Sequence, residues 1–401
     1  MPDCETLPTF NALDAVHNRG IIIASDGAEY EKIAKFSPVD ATTNPSLVFA
    51  AVSTAKYSYL IDDAVTYSLR SLSPKSPTVD EIVELALDHL LVRVGAEILS
   101  IIPGRVSISV DPRLGFSYAG ILSKSRALIK LVEELHIPRT RILIKIPATP
   151  EGIHAAHTLE SVDGIHTNLT LIFSLVQAIA CAQAGVSVVS PFIGRVKDWW
   201  SARAIAEGNP SGLDDQPLQD HPGIALVRRI KETYTRCGYS TQIMAAGFRK
   251  PEEIVELSRY GKKGGADLVT LPPDLLEGLM KLDGNLDLRS DSTQPTPLTE
   301  LPNPPPIYFS PNGPTHEGAI LFERDSKQEA ISLDKVPEGL AKFSIDAVKL
   351  ETMVRDRVQQ FAHARLPDVV SITSDVFQES RGRLPGDGAA VSRRRKSVSV
   401  N

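Results

Sequence analysis

The sequence predicts an α/β protein, a single (β/α)8 TIM barrel with additional N- and C-terminal helices. Three observations lead there. Eight short apolar runs, several rich in β-branched residues, alternate with longer stretches of helical spacing between residues 20 and 283. The runs end in polar residues, as the strands of a barrel do at the face where chemistry sits. No glycine fingerprint of a dinucleotide-binding sheet follows any of them, and barrels of roughly 250 residues form one domain, which suits a chain of 401.

Residues 9–18 carry a weak amphipathic helical pattern, and GIIIASDG (Gly20 to Gly27) is an apolar run closed by turn residues, a first buried strand. DATTNPS (Asp40 to Ser46) is a second short strand ending in Asn-Pro. Helical spacing runs from Leu47 to Leu72 and from Val79 to Ile102, with Ile82, Leu85, Leu87, Leu90 and Leu91 in the second stretch. RVSISVD (Arg105 to Asp111) is a strand and Tyr118 to Leu135 a helix. ILIKIP (Ile142 to Pro147) follows, bounded by a Pro/Thr break and a helix; GIHTNLTLIFS (Gly164 to Ser174) passes into the helix LVQAIACAQAG. VSVVSPFIGR (Val186 to Arg195), a polar stretch from Ala204 to Pro222, and a helix from Gly223 to Thr235 come next. QIMAAGFR (Gln242 to Arg249), the helix PEEIVELSRYG, ADLVTLPP (Ala266 to Pro273) and the helix DLLEGLMKL complete residues 1–283.

Beyond Asp283 the composition shifts. Eight prolines between Pro295 and Pro314 describe residues 284–334 as a proline-rich insertion or loop. Leu340, Phe343, Ala347, Leu350 and Val354 restore helical spacing, so 335–362 is expected to be a helix packed on the barrel. Residues 363–401, ending RRRKSVSVN, read as a disordered basic tail; a kinase site or a targeting signal are the alternatives.

With 43 basic and 49 acidic residues the net charge is −6, which excludes an electrostatic nucleic-acid or membrane-surface binder. Three scattered cysteines, Cys4, Cys181 and Cys237, are too few for a disulfide framework and read as free thiols of a reducing compartment. The start, MPDCETLPTFNALD, has no apolar signal region, and the expected location is the cytoplasm.

Lys145 is out of place. A buried strand with one lysine in its middle must pair that ammonium or depress its pKa, and a neutral amine attacks carbonyls. The rival reading is a lysine whose head reaches solvent at the strand end. Polar residues at the other strand ends are Asp26, Asn44, Ser109, Asp111, Asn168, Thr170, Ser190, Arg195 and Arg249. They supply an acid/base, neutral hydrogen-bonders for water and hydroxyls, and two guanidinium forks for a phosphate.

Here the sequence resembles the transaldolases. The likeness covers about residues 10–283 and 335–361, through DATTNPS, GAEIL, IPGRVS, RILIK, NLTLIFS, SPFIGR, DWW, GFR and KFSIDAVKLE. It implies a circularly permuted class I aldolase barrel and a transferase of the pentose phosphate pathway. Lys145 would form a Schiff base with a ketose phosphate, without metal or organic cofactor. Asp26 matches the acid/base carboxylate, and Thr170 the residue holding the catalytic water. Asn44, Asn168, Ser190, Phe192, Arg195 and Arg249 match substrate positions. The phenylalanine at 192, where fructose-6-phosphate aldolases carry tyrosine, tilts the reading toward transfer. The implied partners are sugar phosphates, with sedoheptulose 7-phosphate and glyceraldehyde 3-phosphate as the expected pair. Homodimers are frequent among such proteins.

Two positions depart from the family. Ser109 stands where a glutamate sharing the catalytic water is expected; serine holds a water but does not change charge near neutrality, a loss of about 10²–10⁴ in rate. Gly247 replaces a phosphate-contacting serine, a loss of about 1–2 kcal/mol. The alternatives are therefore a divergent paralogue with slow aldolase activity or a specialised substrate, and a non-catalytic sugar-phosphate-binding barrel. His154, His157 and Glu160 have metal-like spacing but are read as non-ligands, Trp199 and Trp200 as surface or interface residues, and Cys181 as core.

Overall fold

The computed structural model describes residues 10–73, 76–285 and 304–379, with side chains as far as Phe361. Helix α1 (Ala12–Asn18) leads into β1 (Ile22–Asp26), α2 (Tyr30–Ala34), β2 (Asp40–Thr42) and three helices, α3 (Pro45–Val52), α4 (Tyr59–Leu72) and α5 (Val79–Leu99). Strict alternation follows: β3 (Val106–Ser109), α6 (Tyr118–Glu134), β4 (Ile142–Pro147), α7 (Pro150–Thr158), β5 (Thr167–Ile172), α8 (Leu175–Gln183), β6 (Val188–Pro191) and α9 (Ile193–Ala206). The rest of the barrel is α10 (Pro222–Cys237), β7 (Gln242–Ala245), α11 (Pro251–Ser258), α12 (Gly261–Gly264), β8 (Leu268–Leu271) and α13 (Pro273–Lys281).

The strands form a closed parallel barrel in chain order, and β1 seals it against β8 with Ile22 opposite Leu268 and Ala24 opposite Thr270. Every residue of β4 and β5 is buried, because strands covered on both faces need continuous rather than alternating apolar text. Ala24, Leu143, Val188, Met244 and Leu268, from five different strands, pack as a separate small cluster. Residues so spread around a barrel meet only across its interior, so they plug it below the polar strand ends.

The segment read as a proline-rich loop needs correcting from residue 315 onward. The prolines stop at Pro314, Thr315 accepts from the Gly318 N–H as an N-cap, and α14 (His316–Gln328) forms. Helix α15 (Ile331–Glu379) likewise starts before 335, since its buried stripe begins at Ile331 and Val336. It also stays helical past its expected end at residue 362, so 363–379, expected to begin a disordered tail, continue the helix. Residues 286–303 and 380–401, with most of the basic tail, lie outside the described residues, as does Cys4.

Helix α15 crosses the C-terminal face of the barrel. A Cβ at Gly339 would lie 2.7 Å from Leu171 Cδ2 and 3.0 Å from Arg195 Nη1, so only glycine lets the helix pass so close to the strand ends. No helix among the described residues is long and apolar enough to cross a membrane.

Candidate active site

Parallel pairing sets the site. Lys145 on β4 stands opposite Ser109 of β3 on one side and Asn168 of β5 on the other, with Thr170 opposite Pro147. Lys145 is only 7% exposed. Burial lowers its pKa, and the Asp26 carboxylate, near enough for its charge to act, pulls the other way. The structure thus brings Lys145 and Asp26 together at one end of the barrel and leaves the amine inside, not reaching for solvent.

Asp26 is aimed by its neighbours. Thr42, its register partner, donates from Oγ1 to Asp26 Oδ1 at 2.7 Å and shares a 2.6 Å hydrogen bond with Thr270. Sequence reasoning missed both threonines; the only signal was that Thr42 lies on the strand inside the DATTNPS motif. Asn168 is fixed likewise, its Nδ2 donating to Ser107 Oγ at 3.1 Å while its Oδ1 accepts from Ser190 Oγ at 2.7 Å. Asn44 caps α3 by accepting from the Leu47 N–H at 3.0 Å, which leaves its amide N–H groups to donate elsewhere.

Thr170 Oγ1 and Arg195 Nη1 are among the buried polar atoms with no hydrogen-bond partner among the described residues. Such atoms cost free energy unless something completes them. Thr170 is followed by Leu171 at φ 60°, where β5 shifts register between Leu169 and Ile172. A left-handed branched residue beside a bulge is backbone strain held by the surroundings. Ser109 Oγ reaches only the Thr43 carbonyl, at 3.4 Å. Beside Ser109 lies a cavity of about 530 Å³, walled by α5, α6 and α15. Asp88 and Lys124 line it as an ion pair at 2.9 Å; burial pushes the Asp88 carboxyl up to about 6 although Lys124 opposes the shift.

The cationic end is built by the turns after β6 and β7. The Arg195 guanidinium sits 5.3 Å from the Phe192 ring and 5.6 Å from Phe343 of α15, and burial lowers its pKa. Arg249 Nη2 donates to Asp198 Oδ2 at 2.6 Å, in a half-exposed pair. Gly247 adopts φ 70°, and a Cβ there would lie 3.2 Å from Phe192 Cδ1. Phe343 was read only as part of the apolar stripe of the C-terminal helix.

Other candidates stay outside. Asp111 is taken up by Arg113, whose Nε donates at 2.9 Å. Glu160 accepts from the backbone N–H groups of Thr167 and Ser187 at 2.7 and 2.8 Å, while His154 stacks on Tyr118. No group of three metal-donor side chains occurs among the described residues. Cys181 is fully buried in α8, and burial pushes its thiol pKa well up.

What fold and site define is a (β/α)8 barrel with a buried lysine and a carboxylate at its mouth and two arginines beyond them. The family model for transaldolase/fructose-6-phosphate aldolase matches residues 23–354. A transaldolase of Saccharomyces cerevisiae is 39% identical over 348 residues, covering 87% of this chain and 96% of that protein. Transaldolase 1 of Pectobacterium atrosepticum is 41% identical over 345 residues, 86% and 98% of the two chains. A transaldolase of Gloeobacter violaceus is 38% identical over 383 residues, 95% and 89%. The chain belongs to the transaldolase/fructose-6-phosphate aldolase family.

Proposed function

We propose that this enzyme transfers a dihydroxyacetone unit from a ketose phosphate, sedoheptulose 7-phosphate or fructose 6-phosphate, to an aldose phosphate through a Schiff base on Lys145. The observation that carries the reading is the buried amine of Lys145, its pKa lowered by burial, beside the Asp26 carboxylate. Lys145 Nζ attacks the C2 carbonyl, and the carbinolamine loses water to give the protonated imine. Asp26 takes the C4 hydroxyl proton as the C3–C4 bond breaks, and the bonding electron pair moves into the imine to give an enamine. The first aldose phosphate leaves. The enamine carbon then attacks the second aldehyde, Asp26 returns the proton to its oxygen, and water releases the product ketose. The protonated imine accepts the electron pair, so the scheme draws on no metal or organic cofactor.

Thr170 is the residue suited to hold the water that leaves and returns, because its buried hydroxyl has nothing else to bond. Asn44, Asn168 and Ser190 are placed for the sugar hydroxyls, and Phe192 packs beside Arg195, which with Arg249 faces the phosphate. The acidic balance and unpaired cysteines support a cytoplasmic place in the pentose phosphate pathway, and a homodimer is the assembly to test. A second reading, slow cleavage or a specialised acceptor, is favoured by Ser109 and the cavity beside it.

The test is borohydride reduction in the presence of fructose 6-phosphate, followed by peptide mass analysis. A reduced three-carbon or six-carbon adduct on the peptide containing Lys145 is expected, and its absence at every pH would sink the proposal. Coupled turnover with erythrose 4-phosphate then separates transfer from cleavage.

A further inference from the structure

Beside the barrel mouth, α9, α10 and the junction of α14 with α15 enclose a cleft of about 410 Å³. Its volume lies in the range of small-ligand sites. Both tryptophans of the chain line it, Trp199 and Trp200, with ring centroids 5.0 Å apart at 90°. Trp199 is held from behind, its Nε1 donating to Asp334 Oδ2 at 2.8 Å, and one of its faces carries the Arg203 guanidinium at 4.7 Å. The exposed ring in the cleft is therefore that of Trp200.

Charged groups of both signs line the cleft. No carboxylate pairs with Arg203 among the described residues, and Lys327, also in the lining, makes an exposed pair with Glu323 at 2.7 Å, which competes weakly with a better anion. The Glu329 carboxylate in the lining accepts from the Val176 N–H at 3.3 Å and is bonded by the Leu175 N–H and the Ser174 hydroxyl as well, and of a carboxylate's roughly four acceptor positions one remains. Phe173 and Leu226 supply apolar wall. The cleft thus offers an aromatic face, two cations and a hydrogen-bond acceptor.

We propose that this cleft is a second binding site, separate from the Schiff-base site, and that it takes a mononucleotide. A base stacks on Trp200 and donates an N–H to Glu329, and the phosphate meets Arg203 and Lys327. The Phe173 ring in its wall lies 5.9 Å from that of Phe192 at the barrel mouth.

Both tryptophans being in the cleft, tryptophan fluorescence reports on it. In the full chain, titration with AMP is expected to change the emission saturably, with adenosine and ribose 5-phosphate each binding more weakly because each lacks one end of the ligand. Arg203→Ala should weaken AMP about tenfold or more, the loss of one charge-assisted hydrogen bond, with Arg203→Lys keeping part of the affinity. Arg249→Ala at the barrel mouth should leave the AMP titration unchanged. A flat signal up to about 10 mM AMP, checked by calorimetry, would overturn the proposal. So would ribose 5-phosphate binding as tightly as AMP, or binding lost with Arg249→Ala and kept with Arg203→Ala.

Discussion

Ser109→Glu is the sharpest test of how this site works. Ser109 stands opposite Lys145 and has one weak contact to lose, the 3.4 Å bond to the Thr43 carbonyl. The adjoining cavity of about 530 Å³ gives one added methylene and a carboxylate in place of the hydroxyl room without overpacking. A glutamate at 109 would face the water that Thr170 Oγ1 is free to hold and could take and return protons during imine formation and hydrolysis. General acid/base help of this kind is worth about 10²–10⁴ in rate, or about 2.7–5.4 kcal/mol of barrier. The new charge also favours the ammonium form of Lys145, so the gain should be largest on the alkaline side of the profile. Transfer from fructose 6-phosphate to erythrose 4-phosphate, followed by a coupled assay across pH, reads kcat directly. Ser109→Gln has the same size without the proton chemistry and should stay near the parent rate. If Glu and Gln behave alike in folded protein, the missing carboxylate is not what limits this enzyme.

Three other outcomes follow from the same geometry. Lys145→Met should abolish borohydride trapping and transfer while leaving thermal unfolding unchanged or slightly later, because an apolar side chain replaces a desolvated amine. Gly339→Ala should raise KM for phosphorylated substrates about tenfold, about 1.4 kcal/mol, as the added Cβ pushes α15 off Leu171 and Arg195. Asp88 has a folded pKa of about 6 against an ordinary 3.8, so between these values the native protein holds a proton that the unfolded chain has lost. Its contribution is therefore fully present below pH 3.8 and is lost as pH rises through about 6; denaturant midpoints for Asp88→Asn should show that slope removed. The same variant leaves Lys124 its second carboxylate, Glu84 at 2.9 Å, so the cost at neutral pH should fall below the roughly 3–5 kcal/mol of a buried charge left alone.

The sequence by itself determined the strands, most helices and the anomaly at Lys145. Those follow from local periodicity and from one charged residue inside an apolar run, both visible without partners. It also carried the motifs whose residues gather at the barrel mouth. It did not show α14, because the prolines before Thr315 dominated the composition of that segment, nor the reach of α15. Tertiary structure alone decided that Thr270 meets Thr42, that Ser107 and Ser190 clamp Asn168, that Phe343 covers Arg195, and that the two tryptophans face the α14–α15 junction. Those pairings join residues tens to hundreds of positions apart. They are fixed when eight strands close in one register and a helix from the far end of the chain lies across them, and nothing in a local pattern encodes that closure.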